Sequence, residues 1–261
     1  RATQNRVVEL FRNELGYRYL GDWNDRPDNR NVEPYLLVPW LQKRGVSEAL
    51  IKRVMRQLDT AAALGEGKTL YYANQDVYSL LRYGVKDKEG AGEQNQTVWL
   101  IDWKNPEAND FAIAEEVTVK GTSQSAKTKR PDLVLYVNGI ALGVIELKRS
   151  SVSVTEGIHQ NLDNQKKDFI RNFFTTMQLV MAGNDTQGLR YGTIETPEKH
   201  YLEWKDDETL PEGNLLDYHL TRLCHKARFL EIIHDFMVFD AGVKKTCRHN
   251  QYFGIQAAKK H

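Results

Sequence analysis

The chain has 261 residues, 41% hydrophobic and 27% charged, with a net charge of +1. That is enough length to bury a substantial core, and no apolar run approaches the roughly 18 residues of a membrane span. The near-neutral balance argues neither for nor against nucleic acid, since a binding arm usually shows a strong basic excess while an enzyme that grips DNA in one cleft is basic only locally; two cysteines are too few for a disulfide framework.

Cys224 and Cys247 also lack metal-ligand spacing and read as reduced thiols in a cytoplasmic protein. Arg1-Ala2-Thr3-Gln4 carries no initiating Met and no signal-peptide pattern, and reads as a trimmed start. From residue 4 to 15, Val7, Val8, Leu10, Phe11 and Leu15 recur at helical spacing. Residues 21–31 are polar and loop-like. Helices are predicted over 36–41 and 47–64, with Ser47 as cap and Glu48 favourable in the first turn. A shorter helix over 74–83 is stopped by Gly84. The period then shortens to that of strands over 98–103, 111–119, 132–137 and 140–147. Residues 154–174 return to helix; 177–182, 189–193 and 201–204 read as strands, and helices resume from about 215 to the end. This order predicts an α/β fold, a mixed β-sheet flanked by helices. It divides into a domain over 1–210 and a C-terminal helical linker over 211–261.

The densest chemical signal lies in two apolar strands that meet at Asn138-Gly139, a strong hairpin turn. Pro131-Asp132 opens the first strand, and Glu146-Leu147-Lys148 closes the second. Residues two apart on a strand share a face at roughly 7 Å, and the hairpin returns Asp132 to the neighbourhood of Glu146 and Lys148. Two carboxylates are hard oxygen ligands suited to Mg²⁺, and a lysine beside them can orient an attacking water and stabilise charge on a phosphate. Glu203-Trp204-Lys205 and Asp102-Trp103-Lys104 repeat the short pattern without the acid-headed partner strand, and are set aside.

The chemistry constrains the hairpin further. A regular ladder from a two-residue turn puts Asp132 opposite Ile145, and so on the face away from Glu146. An extra residue in the loop or a bulge must correct this. The expected solution is a three-residue loop, Val137-Asn138-Gly139, with Gly139 left-handed. Gly143 is the alternative bulge site, and Asp132 just outside the ladder is a further option. Leu133, Leu135, Ile145 and Leu147 then share the opposite, core-facing side.

At these residues the chain resembles the N-terminal nuclease region of the motor subunit of type I restriction-modification enzymes, within the PD-(D/E)xK nucleases. Leu15-Gly16-Tyr17, Ile101-Asp102-Trp103, Asn105-Pro106-Glu107, Asn109-Asp110-Phe111 and Tyr191-Gly192-Thr193 extend the likeness over most of residues 5–260. The resemblance implies a restriction-endonuclease-like core in a type I site-specific deoxyribonuclease that cuts double-stranded DNA. It implies Asp132 and Glu146 as Mg²⁺ ligands and Lys148 as catalytic lysine. It also implies ATP-driven translocation in the full subunit, with methyltransferase and specificity subunits as partners. The family's Gln-x-x-x-Tyr pair is not intact: Gln160 is followed by Asn164 and Gln165 by Phe169, so both glutamines are candidates for DNA binding or site support. Lys129 and Arg130, with Lys120, Lys127, Arg149, Lys166 and Lys167, are candidates to line a phosphate-holding cleft. Residues 245–253 resemble the segment preceding the motor's ATPase core, where Gln251 matches a glutamine that reads adenine. A glutamine amide can donate to and accept from an adenine edge at once.

Gly65-Glu66-Gly67-Lys68-Thr69 lacks the upstream glycine of a phosphate loop, since Ala62 stands there, and a helix rather than a strand precedes it. The seven histidines show no paired metal spacing. Two competing readings are a stand-alone repair or recombination nuclease of the same fold, and an inactive DNA-binding or assembly module.

Overall fold

A computed structural model describes residues 1–65, 67–122, 126–205 and 213–259. In chain order the elements are α1 (Ala2–Asn13), β1 (Arg18–Asp22), α2 (Pro34–Lys43), α3 (Glu48–Ala62), α4 (Leu70–Tyr83), β2 (Val85–Asp87), β3 (Gln96–Val98), β4 (Phe111–Glu115) and β5 (Leu133–Val137). These are followed by β6 (Ile140–Leu147), α5 (Val154–Asn164), β7 (Leu179–Asn184), β8 (Gly188–Gly192), α6 (Leu215–Leu223), α7 (Lys226–Asp235), β9 (Val238–Asp240), β10 (Val243–Lys245) and α8 (His249–Lys259). Six strands form one mixed sheet in the order β1-β4-β5-β6-β7-β8. The pairs β1/β4 and β6/β7 are parallel and the others antiparallel.

The sheet is covered on both sides, as an α/β fold requires. Leu133, Leu135, Ile140, Leu142 and Ile145 belong to a large core shared with Phe11 of α1, Leu37 of α2, Leu58 of α3, Leu220 of α6 and Phe229 of α7. Val134, Tyr136, Ala141 and Val144 belong to a smaller one with Phe173, Phe174 and Met177. Helix α5 packs on this second side, with Val154 and Ile158 against Ala182 of β7. The apolar residues of α6 and α7 lie in the large core, not in one of their own.

Local sequence explains most element ends. The Ser47 side chain accepts from the Leu50 amide, and Gly84 ends α4 at φ 74°. Helix α4 begins earlier than its apolar period indicated, because Thr69 caps it through the Tyr72 amide. The predicted strand over 98–103 is instead the end of β3 and a loop that buries Leu100 and Ile101. There Asn109 accepts from the Asp102 amide and donates to the Asp102 and Pro106 carbonyls. The predicted helix over 154–174 stops at Asn164, and a 3₁₀ turn over Arg171–Thr175 follows. Residues 201–204 contribute one bridge, Leu202 to Tyr191, and the helical reading of the C-terminal stretch omitted the β9–β10 hairpin.

The β5–β6 hairpin turns in two residues, not three. Val137 pairs with Ile140 and Tyr136 with Ala141, and then the register shifts so that Leu135 faces Gly143 and Leu133 faces Ile145. The extra residue is a bulge at Leu142-Gly143, the alternative site. The tight turn wins because its tip is pinned from outside. Asn138 and Gly139 both hold positive φ, 52° and 83°. The Asn138 amide group donates to the Leu100 carbonyl and Asn109 Oδ1, and its Oδ1 accepts from the Asp110 amide. A Cβ at Gly139 would stand 2.8 Å from the Leu37 nitrogen and 2.9 Å from the Glu33 carbonyl oxygen, both backbone atoms. Gly139→Ala is therefore expected to destabilise the fold by about 2–4 kcal/mol, combining a left-handed penalty with overpacking. Urea unfolding measures this; a loss below about 1 kcal/mol contradicts the pinned turn.

Candidate active site

Extending the β5–β6 register one step beyond Leu133 and Ile145 brings Asp132 opposite Glu146. Asp132 sits just outside the ladder. Its carbonyl accepts from the Glu116 amide at 2.9 Å, and its Oδ2 accepts from the Leu147 amide at 2.6 Å. The carboxylate is thus tied across the strand ends to the backbone between Glu146 and Lys148. Beyond β6 the Lys148 amide donates to the Gly183 carbonyl at 2.9 Å, extending the parallel pairing with β7. The side of β6 that carries Val144 therefore carries Glu146 and then Lys148.

Helix α5 closes over this edge. Ser153 caps it through the Thr155 amide, and Gly157 lets it come close: a Cβ there would stand 3.0 Å from Ala182 Cβ and 3.5 Å from Lys148 Cγ. One turn on, the Gln160 side chain bridges two of the strand residues. Its Nε2 donates to Glu146 Oε2 at 2.7 Å, and its Oε1 accepts from Lys148 Nζ. A further turn on, Asn164 Nδ2 lies 3.4 Å from Glu146 Oε1.

Glu146 is fully buried. Burial, with the neighbouring Asp132 charge second, pushes its carboxyl well above the usual carboxylate range. Burial also raises Asp132, against the lowering effects of the Leu147 amide and the Lys148 ammonium. A fully buried acid held against a half-buried one, with one ammonium beside them, forms a site in which a cation is favoured. Among the described residues no set of three His, Cys, Asp or Glu side chains gathers to hold a metal ion, so any ion here has two carboxylates to bind.

The other candidates divide. Gln165 is buried away from the carboxylates: its Nε2 donates to the Asn161 carbonyl and its Oε1 accepts from the Glu195 amide. Arg130 pairs with Glu116 at 2.7 Å and also donates to Asn24. Lys129 lies 4.2 Å above the Phe169 ring. With Asp132 and Gln160 these two cations line an open cleft of about 550 Å³. Glu116, another lining residue, carries no sequence motif. The signal it does give is structural, a left-handed φ of 51° in a non-glycine residue, a conformation that clusters at functional sites. Lys166 pairs with Asp163, and Arg149 is exposed.

Gln251 stands elsewhere, at a separate cavity of about 640 Å³ lined also by Arg248, Thr246 and Lys199; its Oε1 accepts from the Arg248 amide. Glu66 of the glycine-rich segment lies outside the described residues, and Lys68 in that segment pairs with Asp76. Lys244 is buried without a carboxylate partner among the described residues: Asn74 Oδ1 at 2.7 Å and Gln178 Oε1 hold its Nζ.

A family model described as type I restriction enzyme R protein N terminus matches residues 1–199. The putative type I restriction enzyme MjaIXP endonuclease subunit of Methanocaldococcus jannaschii is 25% identical over 98% of this chain and 27% of its own length. The type I restriction enzyme HindI endonuclease subunit of Haemophilus influenzae is 27% identical over 72% of this chain and 19% of its own. The EcoprrI endonuclease subunit of Escherichia coli is 27% identical over 56% of this chain. The chain thus spans about a quarter or less of the first two relatives.

Proposed function

Because the chain belongs to the family of type I restriction enzyme R protein N termini, we propose that its sheet edge is a Mg²⁺-dependent active site that hydrolyses phosphodiester bonds of double-stranded DNA. The observation that carries this reading is the convergence of Asp132, Glu146, Lys148 and Gln160 at one end of the β5–β6 hairpin. A buried carboxylate beside a half-buried one that opens to the cleft fits Mg²⁺, a hard cation that keeps several of its waters and needs few protein ligands. When bound, the ion polarises the scissile phosphate and lowers the pKa of the attacking water.

The chain's own residues do the rest. The Leu147 amide fixes one oxygen of Asp132, leaving the other for the ion. Gln160 ties Lys148 Nζ to Glu146, so the ammonium stays beside the place where phosphate charge grows and stabilises it there. Lys129 and Arg130, on the cleft wall, hold the DNA backbone without reading sequence. In the full subunit the cut is coupled to ATP-driven translocation, with Gln251 reading adenine. Methyltransferase and specificity subunits complete the complex in the cytoplasm.

The test uses the assembled enzyme. Asp132→Ala and Lys148→Ala each reduce plasmid cleavage to background while ATP hydrolysis continues at the unmodified rate. Should either variant cut at the unmodified rate with Mg²⁺, its role here is wrong.

A further inference from the structure

Helix α5 grips both oxygens of the Glu146 carboxylate, one from each of two amide side chains a helical turn apart. Gln160 Nε2 holds Oε2 at 2.7 Å, and Asn164 Nδ2 reaches Oε1 at 3.4 Å. Residues four apart share a helix face, so Gln160 and Asn164 act on one carboxylate from one direction. Asn164 is fully buried, and its other side-chain atom, Oδ1, has no hydrogen-bond partner among the described residues. A buried amide oxygen left unpaired costs free energy, so the residue calls for a reason to be there. It does not hold the helix end: the C-cap amide of Gln165 takes the Asp163 and Leu162 carbonyls, and the Asn164 main-chain carbonyl accepts from Ile170. Among the described residues, the one hydrogen bond of its side chain is to the carboxylate.

We propose that Asn164 is a positioning residue for the metal-binding carboxylate of Glu146, a role that rests on the nuclease reading above. By occupying Oε1 it fixes the rotation of the carboxylate about its last bond, with Oε2 on the side shared with Gln160 and Lys148. The plane of the carboxylate is thereby set before a divalent cation arrives. Partners of this kind that orient a ligand change metal affinity by about 10–100-fold when removed.

The test compares Asn164→Gln, which keeps an amide donor on a stem one methylene longer and so able to close the 3.4 Å gap, with Asn164→Leu, which resembles asparagine in shape and has no donor. Mn²⁺ is titrated into each chain and followed by electron paramagnetic resonance. Thermal unfolding in chelator provides the stability comparison. The expected result is Mn²⁺ affinity about tenfold weaker for the leucine variant, with the glutamine variant closer to the unmodified chain and the two unfolding at similar temperatures. Equal affinities for the two variants, whether both weakened or both unchanged, overturn the proposal. Asp132→Ala separates this failure from the failure of the metal-site reading. If that variant also binds Mn²⁺ as the unmodified chain does, the carboxylate pair is not the metal site.

Discussion

Glu146→Gln is expected to abolish DNA cleavage, by about three orders of magnitude or more, and at the same time to stabilise the metal-free fold at neutral pH. The carboxyl is fully buried and displaced upward by burial and by Asp132. A carboxyl whose folded pKa is raised favours its protonated form in the folded state. Its stabilising contribution is complete below the unfolded value, near 4.5, and is lost as pH rises through the folded value. At neutral pH the native side chain is therefore a net cost, and glutamine removes it. Glutamine can also be accommodated: the Asn164 amide can turn to offer its unpaired Oδ1 to the new amide nitrogen while Gln160 still donates to the oxygen. In chelator the variant is more stable than the native chain, and its Tm is higher. Its stability also falls less steeply than the native chain's from pH 5 upward. Mg²⁺ raises the native Tm and leaves the variant's unchanged, as linkage requires. Indistinguishable pH profiles for the two chains, or a variant that still cuts, refute the expectation.

The second large effect concerns a residue that makes no polar contact with the site. Gly157→Leu is expected to lower cleavage at least about 100-fold while costing only about 1–3 kcal/mol of stability, the usual range for overpacking. The native glycine leaves only 3.0 Å between an added Cβ and Ala182 Cβ, with the Lys148 stem and the Glu146 carbonyl 3.5 Å away. A larger side chain must push α5 off the β6–β7 surface. Gln160 rides on the same face of α5 and would lose its bridge between Glu146 and Lys148. Gly157→Ala grades the effect. Its crowding is opposed by a helix-propensity gain of up to about 1 kcal/mol, so stability changes little, and cleavage falls about tenfold. Plasmid cleavage measured beside ATP hydrolysis decides the matter. A leucine variant that cuts within threefold of the native rate removes α5 from the account.

What the sequence made legible depended on whether the signal was local. The α3 cap, the stop at Gly84 and the strands either side of Asn138-Gly139 follow from neighbouring residues, and they fold as read. Strand β1 escaped notice because Arg18-Tyr19-Leu20-Gly21-Asp22 has little apolar alternation. It exists because β4 offers a parallel partner from far along the chain, at the register Arg18 to Ala112. The β9–β10 hairpin is three residues a side, too short for a period to emerge. The helix expected to reach residue 174 ends at Asn164, where Gln165 spends its side chain on the Asn161 carbonyl and the Glu195 amide. At the candidate site, the residues named in the hairpin are the ones the fold gathers. The choice between Gln160 and Gln165 was undecidable from spacing, since only the approach of α5 to β6 distinguishes them. Glu116 belongs to no pattern, and Asn164 stood out only as the residue in place of the usual tyrosine; the role of each becomes visible only with the backbone in place.

The bulge at Leu142-Gly143 makes the interval between the two acids elastic by one residue. Removing one bulged position leaves a regular ladder from the same tight turn, and Asp132 still meets Glu146. Removing a residue at Val144 or Ile145 instead, with the bulge kept, would invert the strand's end: an apolar side chain would enter the cleft and a carboxylate the large core. Length variation in this hairpin is therefore permitted at one address and forbidden two residues later. Any search for related sites that fixes the distance from the first acid to the second will discard true kin.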